Sequence, residues 1–142
     1  MRRGLHGDLG QSIVEVALAL PILSFTLLGG AEMARAFGAQ IAVENAARVA
    51  AEAEALAAVP SSTEATSRAQ SELNQTPGVT ATNATVTFSE VTSGGASCTT
   101  STSTTPCYAK VRVQYTYSTL IAWPGLPHTF AFDRTAWYRR YL

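Results

Sequence analysis

From Ile13 to Ala31 the chain is apolar except for Glu15 and a few small polar residues, and Val16–Ala31 carries no charge. A stretch hydrophobic on every side predicts a helix that one face of a soluble core would not bury. With its flanks it approaches the roughly 20 residues needed to cross a bilayer. From Glu32 to Val59 the pattern changes. Alanine dominates, larger apolar residues recur at Met33, Phe37, Ile41, Val49 and Leu56, and Glu32, Arg35, Glu44, Arg48, Glu52 and Glu54 punctuate them. Glu32–Arg35 and Glu44–Arg48 stand at i,i+3 and i,i+4, the spacings that support a helix. Alanine has the best helix propensity, and no Pro or Gly interrupts between Gly38 and Pro60. One nearly continuous helix is therefore predicted from about Ser12 to Ala58, on the order of 70 Å long at 1.5 Å per residue. Its first half is hydrophobic all round and its second amphipathic. Pro21 and Gly29-Gly30 are where it would bend.

After Pro60 the residues Ser61-x-x-Glu64 form a capping-box signature. Ala65, Ala69 and Leu73 then repeat at i, i+4, i+8, predicting a short second helix that ends before Pro77-Gly78. Beyond Gly78 the composition turns to Thr, Val and aromatic residues, which suit strands. Three alternating segments stand out: Ala84–Thr92 with Val86 and Phe88, Tyr108–Tyr117 with Val111, Val113, Tyr115 and Tyr117, and Phe130–Tyr138 with Phe130, Phe132 and Arg134 on one face. Two helices followed by three strands predict an α+β fold, a small antiparallel sheet burying one face on the long helix. Thr92–Pro106 and Trp123–Pro127 are loops.

Composition narrows the chemistry. Lys+Arg and Asp+Glu balance at 10 each over 142 residues, and no basic stripe offers nucleic acid a footing. His6 and His128 lie far apart and the two cysteines stand alone, so no metal cluster is expected. No nucleophile has a partnered base, and no catalytic residue or cofactor is expected. Cys98 and Cys107 flank a Ser/Thr loop. In an oxidising compartment they are expected to bridge, closing about ten residues for roughly 2.7 kcal/mol of loop entropy. Trp137, Tyr138 and Tyr141 beside Arg139 and Arg140 are a candidate binding patch, or the finish of a strand.

The decisive constellation is Gly10-Gln11-Ser12-Ile13-Val14-Glu15, set directly before the hydrophobic helix. It resembles the processing site of type IV prepilins, where a membrane aspartyl peptidase cuts after the Gly. The resemblance implies Met1–Gly10 as a leader, Gly10 and Gln11 as the scissile pair, and Glu15 as fifth residue of the mature chain. A carboxylate inside a membrane segment costs about 2.5–3.5 kcal/mol at mid-bilayer, so its retention calls for a purpose. In a filament it can pair with the new N-terminal ammonium of a neighbouring subunit. At about 4 Å and an effective dielectric near 20 that attraction is roughly 4 kcal/mol, enough to set axial register.

The wider helix extends the match. Glu15-Val16-Ala17-Leu18-Ala19-Leu20-Pro21, then Glu32-x-x-Arg35, then Asn45-Ala46-Ala47-Arg48 resemble the TadE-like family of minor pseudopilins in bacterial tight-adherence pili. Val16 stands where that family usually has Phe. The resemblance implies a pilin-like layout: leader 1–10, membrane or filament-core helix 11–31, and exported domain 32–142, with Pro21 as the helix bend. Implied partners are a prepilin peptidase, other pilins and minor pseudopilins, the inner-membrane assembly platform, and lipid before assembly. Arg2 and Arg3 favour an N-in, C-out orientation, with the distal domain periplasmic and later on an extracellular pilus. Two rivals remain at this level: a bitopic anchored periplasmic binding domain, and a type II secretion pseudopilin.

Overall fold

The computed structural model of the chain describes residues 5–122 and 127–140, with side chains from Gln11 onward. Of the expected features, the leader's Met1–Gly4, most of the Trp123–Pro127 loop, and Tyr141 lie outside the described residues. The elements run α1 (Leu5–Leu56), α2 (Ser62–Leu73), a 3-10 turn (Ala81–Asn83), β1 (Ala84–Thr92), β2 (Cys107–Ser118) and β3 (Thr129–Arg139). The α+β architecture predicted from the pattern is the one observed. Two compact units divide the chain, Met1–Ala34 and Arg35–Leu142.

In the first unit the backbone is already helical at Leu5, earlier than the predicted start near Ser12. Propagating a helix costs little once it is nucleated, and no proline blocks extension into the leader. The helix also runs unbroken through Pro21 and Gly29-Gly30. Pro21 lacks an N–H, so the Ala17 carbonyl loses its usual partner. Thr26 returns its hydroxyl to the Ile22 carbonyl at 2.5 Å, which satisfies it without help from a neighbour.

In the second unit, α1 contributes Ala39, Ala42, Val43, Ala46, Ala47, Ala50 and Ala51 to a hydrophobic cluster, a stripe at the i, i+3, i+4, i+7 spacing of one helical face. α2 adds Ala65, Ala69 and Leu73, and β2 adds Val111, Val113, Tyr115 and Tyr117. Both helices contribute mostly small alanines to this cluster, and the sheet's tyrosines supply the volume. The sheet order is β1-β2-β3, antiparallel throughout. β2, the central strand, alternates cleanly between buried and exposed over Val111–Ser118, while β3 alternates half-buried with exposed. On the outward face Arg112 holds Asp133 in a forked pair that Gln114 joins at 3.2 Å. Lys110 sits 4.9 Å above the Trp137 ring.

Two details depart from the sequence pattern. The capping box does not close. Ser61 caps α2 through its side chain at Thr63 N–H (3.3 Å), but its own N–H donates to Glu54 at 2.6 Å rather than to Glu64. Glu64 instead pairs with Arg68 one turn on, at 2.8 Å. The buried Glu54 is closer competition for that N–H than the exposed Glu64. The second departure is Val91, buried although it lies on the opposite face from Val86 and Phe88. A tight turn with Gly95 at φ +84° folds the chain back, so that Ser97 bridges to Val91. Gly78 (φ +81°) fills a similar need after Pro77, and a Cβ there would stand 3.0 Å from the Arg35 guanidinium.

Candidate assembly site

Every large apolar side chain from Ile13 to Leu28 is at least 51% exposed. That much uncovered hydrocarbon needs a cover, lipid or protein. The helix is also long and apolar enough to cross a membrane. At its head Gln11 donates through Nε2 to Glu15 Oε1 at 3.2 Å, across one helical turn. Both side chains are exposed. The bond draws the Glu15 carboxylate back toward the Gln11 side chain, at the N-terminal end of the apolar run. Gly10 and Gln11 themselves lie inside α1.

The other residues singled out from the sequence fall along the rest of α1 and in the distal unit. Glu32 is buried and Arg35 half-buried. Asn45 is exposed, and Arg48 grips Glu44 at 2.6 Å. The Glu44–Arg48 pair also lines a groove of about 390 Å³ with Ala47 and residues 134–138 of β3. Cys98 and Cys107 form the expected disulfide, with Cα atoms 5.7 Å apart, inside the range such a bridge spans. Within its loop the Cys107 N–H reaches Ser101 Oγ at 3.2 Å, and the Thr105 N–H reaches Thr102 Oγ1 at 2.9 Å.

Sequence reasoning missed a polar clasp at the disulfide end of the sheet. Arg140 pairs with Glu90 and donates through Nη2 to the Ala57 carbonyl at 3.2 Å. Its backbone N–H reaches the Cys107 carbonyl at 2.9 Å, and the Glu90 carbonyl accepts from Cys98 N–H at 3.0 Å. One arginine therefore ties together the residue after α1, the end of β1, the start of β2 and the disulfide loop. Only its place beyond a strand hinted at this, and the sequence pattern had grouped it with the exposed patch.

On the outer face titration is displaced by a specific pairing. The Arg112 hydrogen bond holds the Asp133 carboxyl below its ordinary range, against a smaller opposing effect of burial. The same bond raises Arg112. Among the described residues no group of His, Cys, Asp and Glu could hold a metal ion.

Residues 10–52 match the family described as TadE-like protein. The match opens on Gly10 and takes in Glu15, Pro21, Glu32, Arg35, Asn45 and Arg48, and it ends before α1 does. The distal sheet lies outside it. No curated protein and no solved structure matches the chain.

Proposed function

From a TadE-like N-terminal segment, which points to a Tad-pilus-associated protein, we propose that this chain is a minor pseudopilin, cut after Gly10 and built into a pilus by its apolar helix. The observation that carries the reading is the uncovered helix from Ile13 to Leu28 headed by Glu15 and Gln11 directly after Gly10. A peptidase needs an extended strand, so residues around the Gly10–Gln11 bond must first leave the helix. Glycine favours this, costing a helix about 1 kcal/mol relative to alanine, and Gly7 and Gly10 both lie there. Cutting frees an ammonium on Gln11. The Glu15 carboxylate, released from its Gln11 bond, then serves as partner for the ammonium of a neighbouring subunit. The surface that faced lipid before assembly faces neighbouring helices afterwards. Priming, tip placement and adherence belong to the same proposal.

The test is the mature N-terminus. Expressed with a prepilin peptidase of its own system, the chain should begin at Gln11 by mass spectrometry, and Gly10→Leu should leave the precursor intact. Recovery of an uncut chain from piliated cells overturns the pseudopilin reading and leaves the membrane-anchored binding domain in its place.

A further inference from the structure

Contacts at the two ends of β2 orient the distal unit. Its first residue, Cys107, accepts through its carbonyl from the Arg140 N–H at 2.9 Å, and the Arg140 guanidinium reaches the Ala57 carbonyl just beyond α1. Further along, the Tyr115 hydroxyl accepts from the Thr80 N–H at 3.3 Å. Close by in the chain, a Cβ on Gly78 would stand 3.0 Å from the Arg35 guanidinium. β2 therefore runs opposite to the second half of α1. The turn after Ser118, where the Thr119 N–H donates to the His128 carbonyl at 2.9 Å, lies at the end where α1 enters the unit at Arg35.

Charge is shared unequally between the two ends. Residues 36–43, 73–89 and 113–132 contain no Asp, Glu, Lys or Arg. They are the first turns of α1 in this unit, the approach to β1 with most of that strand, and the second half of β2 with the turn and the start of β3. Glu90, Lys110, Arg139 and Arg140 stand toward the disulfide, and the Arg112–Asp133 pair marks the middle of the sheet. Arg35, half-buried, and Glu72, in the last turn of α2, border the uncharged end. Apolar side chains are open there all the same: Phe37 is 63% exposed, Leu120 74% and Ile121 37%.

Chain connectivity says what meets this end. The apolar run finishes at Ala31, four residues before Arg35, and four residues span at most about 14 Å even fully extended. With that run in a bilayer, a headgroup layer roughly 5–8 Å deep begins where the run ends. Covalent reach alone therefore keeps the Arg35 end of the distal unit at the lipid surface. Formal charge is costly where hydrocarbon begins, whereas apolar side chains gain by entering the boundary. An end without charge that still shows leucine and isoleucine suits that layer. We infer that, before any assembly, the turn after Ser118 rests on the lipid surface with Leu120 and Ile121 in the headgroup–acyl boundary. This contact rests on the apolar run entering a bilayer, but not on cleavage after Gly10 or on a filament.

The experiment uses the full chain in vesicles of phosphatidylcholine and phosphatidylglycerol, with an environment-sensitive fluorophore on one added cysteine beside the intact disulfide. The label sits at Ala122→Cys in the turn, at Leu20→Cys in the apolar run, or at Thr63→Cys in the first turn of α2. Lipids carry a nitroxide quencher either at the headgroup or deep on the acyl chain. The label at Ala122→Cys should be quenched mainly by the shallow nitroxide, as expected for insertion of about 5–10 Å. The label at Leu20→Cys should be quenched mainly by the deep one, and that at Thr63→Cys by neither. Leu120→Asp with Ile121→Asp should abolish quenching at Ala122→Cys and leave thermal unfolding unchanged, since both side chains are exposed. Quenching at Leu20→Cys with none at Ala122→Cys overturns the inference and leaves the membrane helix standing. Absence of quenching at both positions removes the two together. A label at Ala122→Cys that is shielded from water yet untouched by either nitroxide lipid also overturns it, since a second copy of the chain is then the cover.

Discussion

Removing the Arg140 side chain should loosen one whole end of the distal unit. Arg140 is 11% exposed and its partner Glu90 25%, so the pair is largely but not fully withdrawn from water. Arg140→Met keeps the apolar stem and deletes the guanidinium. It strands the Glu90 carboxylate and leaves the Ala57 carbonyl without this donor. Breaking a fully buried pair from one side costs 3–5 kcal/mol, and the residual exposure here brings the expectation to about 2–3 kcal/mol. For a unit near 100 residues each kcal/mol moves Tm by roughly 4–8 °C, so a fall of about 8–24 °C is expected. The assay is thermal unfolding of the full chain in micelles, followed by near-UV circular dichroism of the sheet aromatics. The double variant Glu90→Gln, Arg140→Met should recover more than half of the loss, because the stranded charge is gone. A single variant within 0.5 kcal/mol of wild type, or a double-mutant cycle with no coupling, refutes the clasp.

Three further outcomes are expected. Cys98→Ser opens a loop with a sequence separation of 9 and should cost roughly 2–3 kcal/mol in thermal unfolding without abolishing the fold, whereas a loss of all sheet signal contradicts so local a role. Asp133 has a folded-state pKa held below its unfolded value, so its contribution to stability is full above the ordinary carboxylate pKa of about 3.9 and is lost as pH falls through the lower folded value. Asp133→Asn should therefore flatten that acid-side slope in pH-dependent unfolding, and an unchanged slope counts against the Arg112 pairing. Glu15→Gln should insert at wild-type level, since a neutral side chain is easier to hold in lipid, yet leave cells without pili by electron microscopy; normal piliation removes the register role from Glu15.

Much of this protein is legible from its order of residues because the signals are local. A run of apolar residues without charge, alanine on one helical face, and period-two alternation in Tyr108–Tyr117 each depend on neighbours within a few positions. They predicted the elements to within a few residues, apart from the helix start in the leader. The Gly10–Glu15 constellation is equally local, which is why it stood out before any fold was known. The pairing of Cys98 with Cys107 needed only that there were two cysteines.

What the tertiary structure decided are the interactions that span long stretches of chain. Ser61 had two carboxylates available, Glu64 three residues on and Glu54 seven residues back. The buried one won because the chain reversal after α1 brings it to the Ser61 N–H. Arg140 meets Glu90 and Ala57 only because β3 runs antiparallel to β2 and ends beside the terminus of α1. Side-chain periodicity reports which face of an element is apolar, and it takes the assembled layers to determine which polar groups end up facing one another.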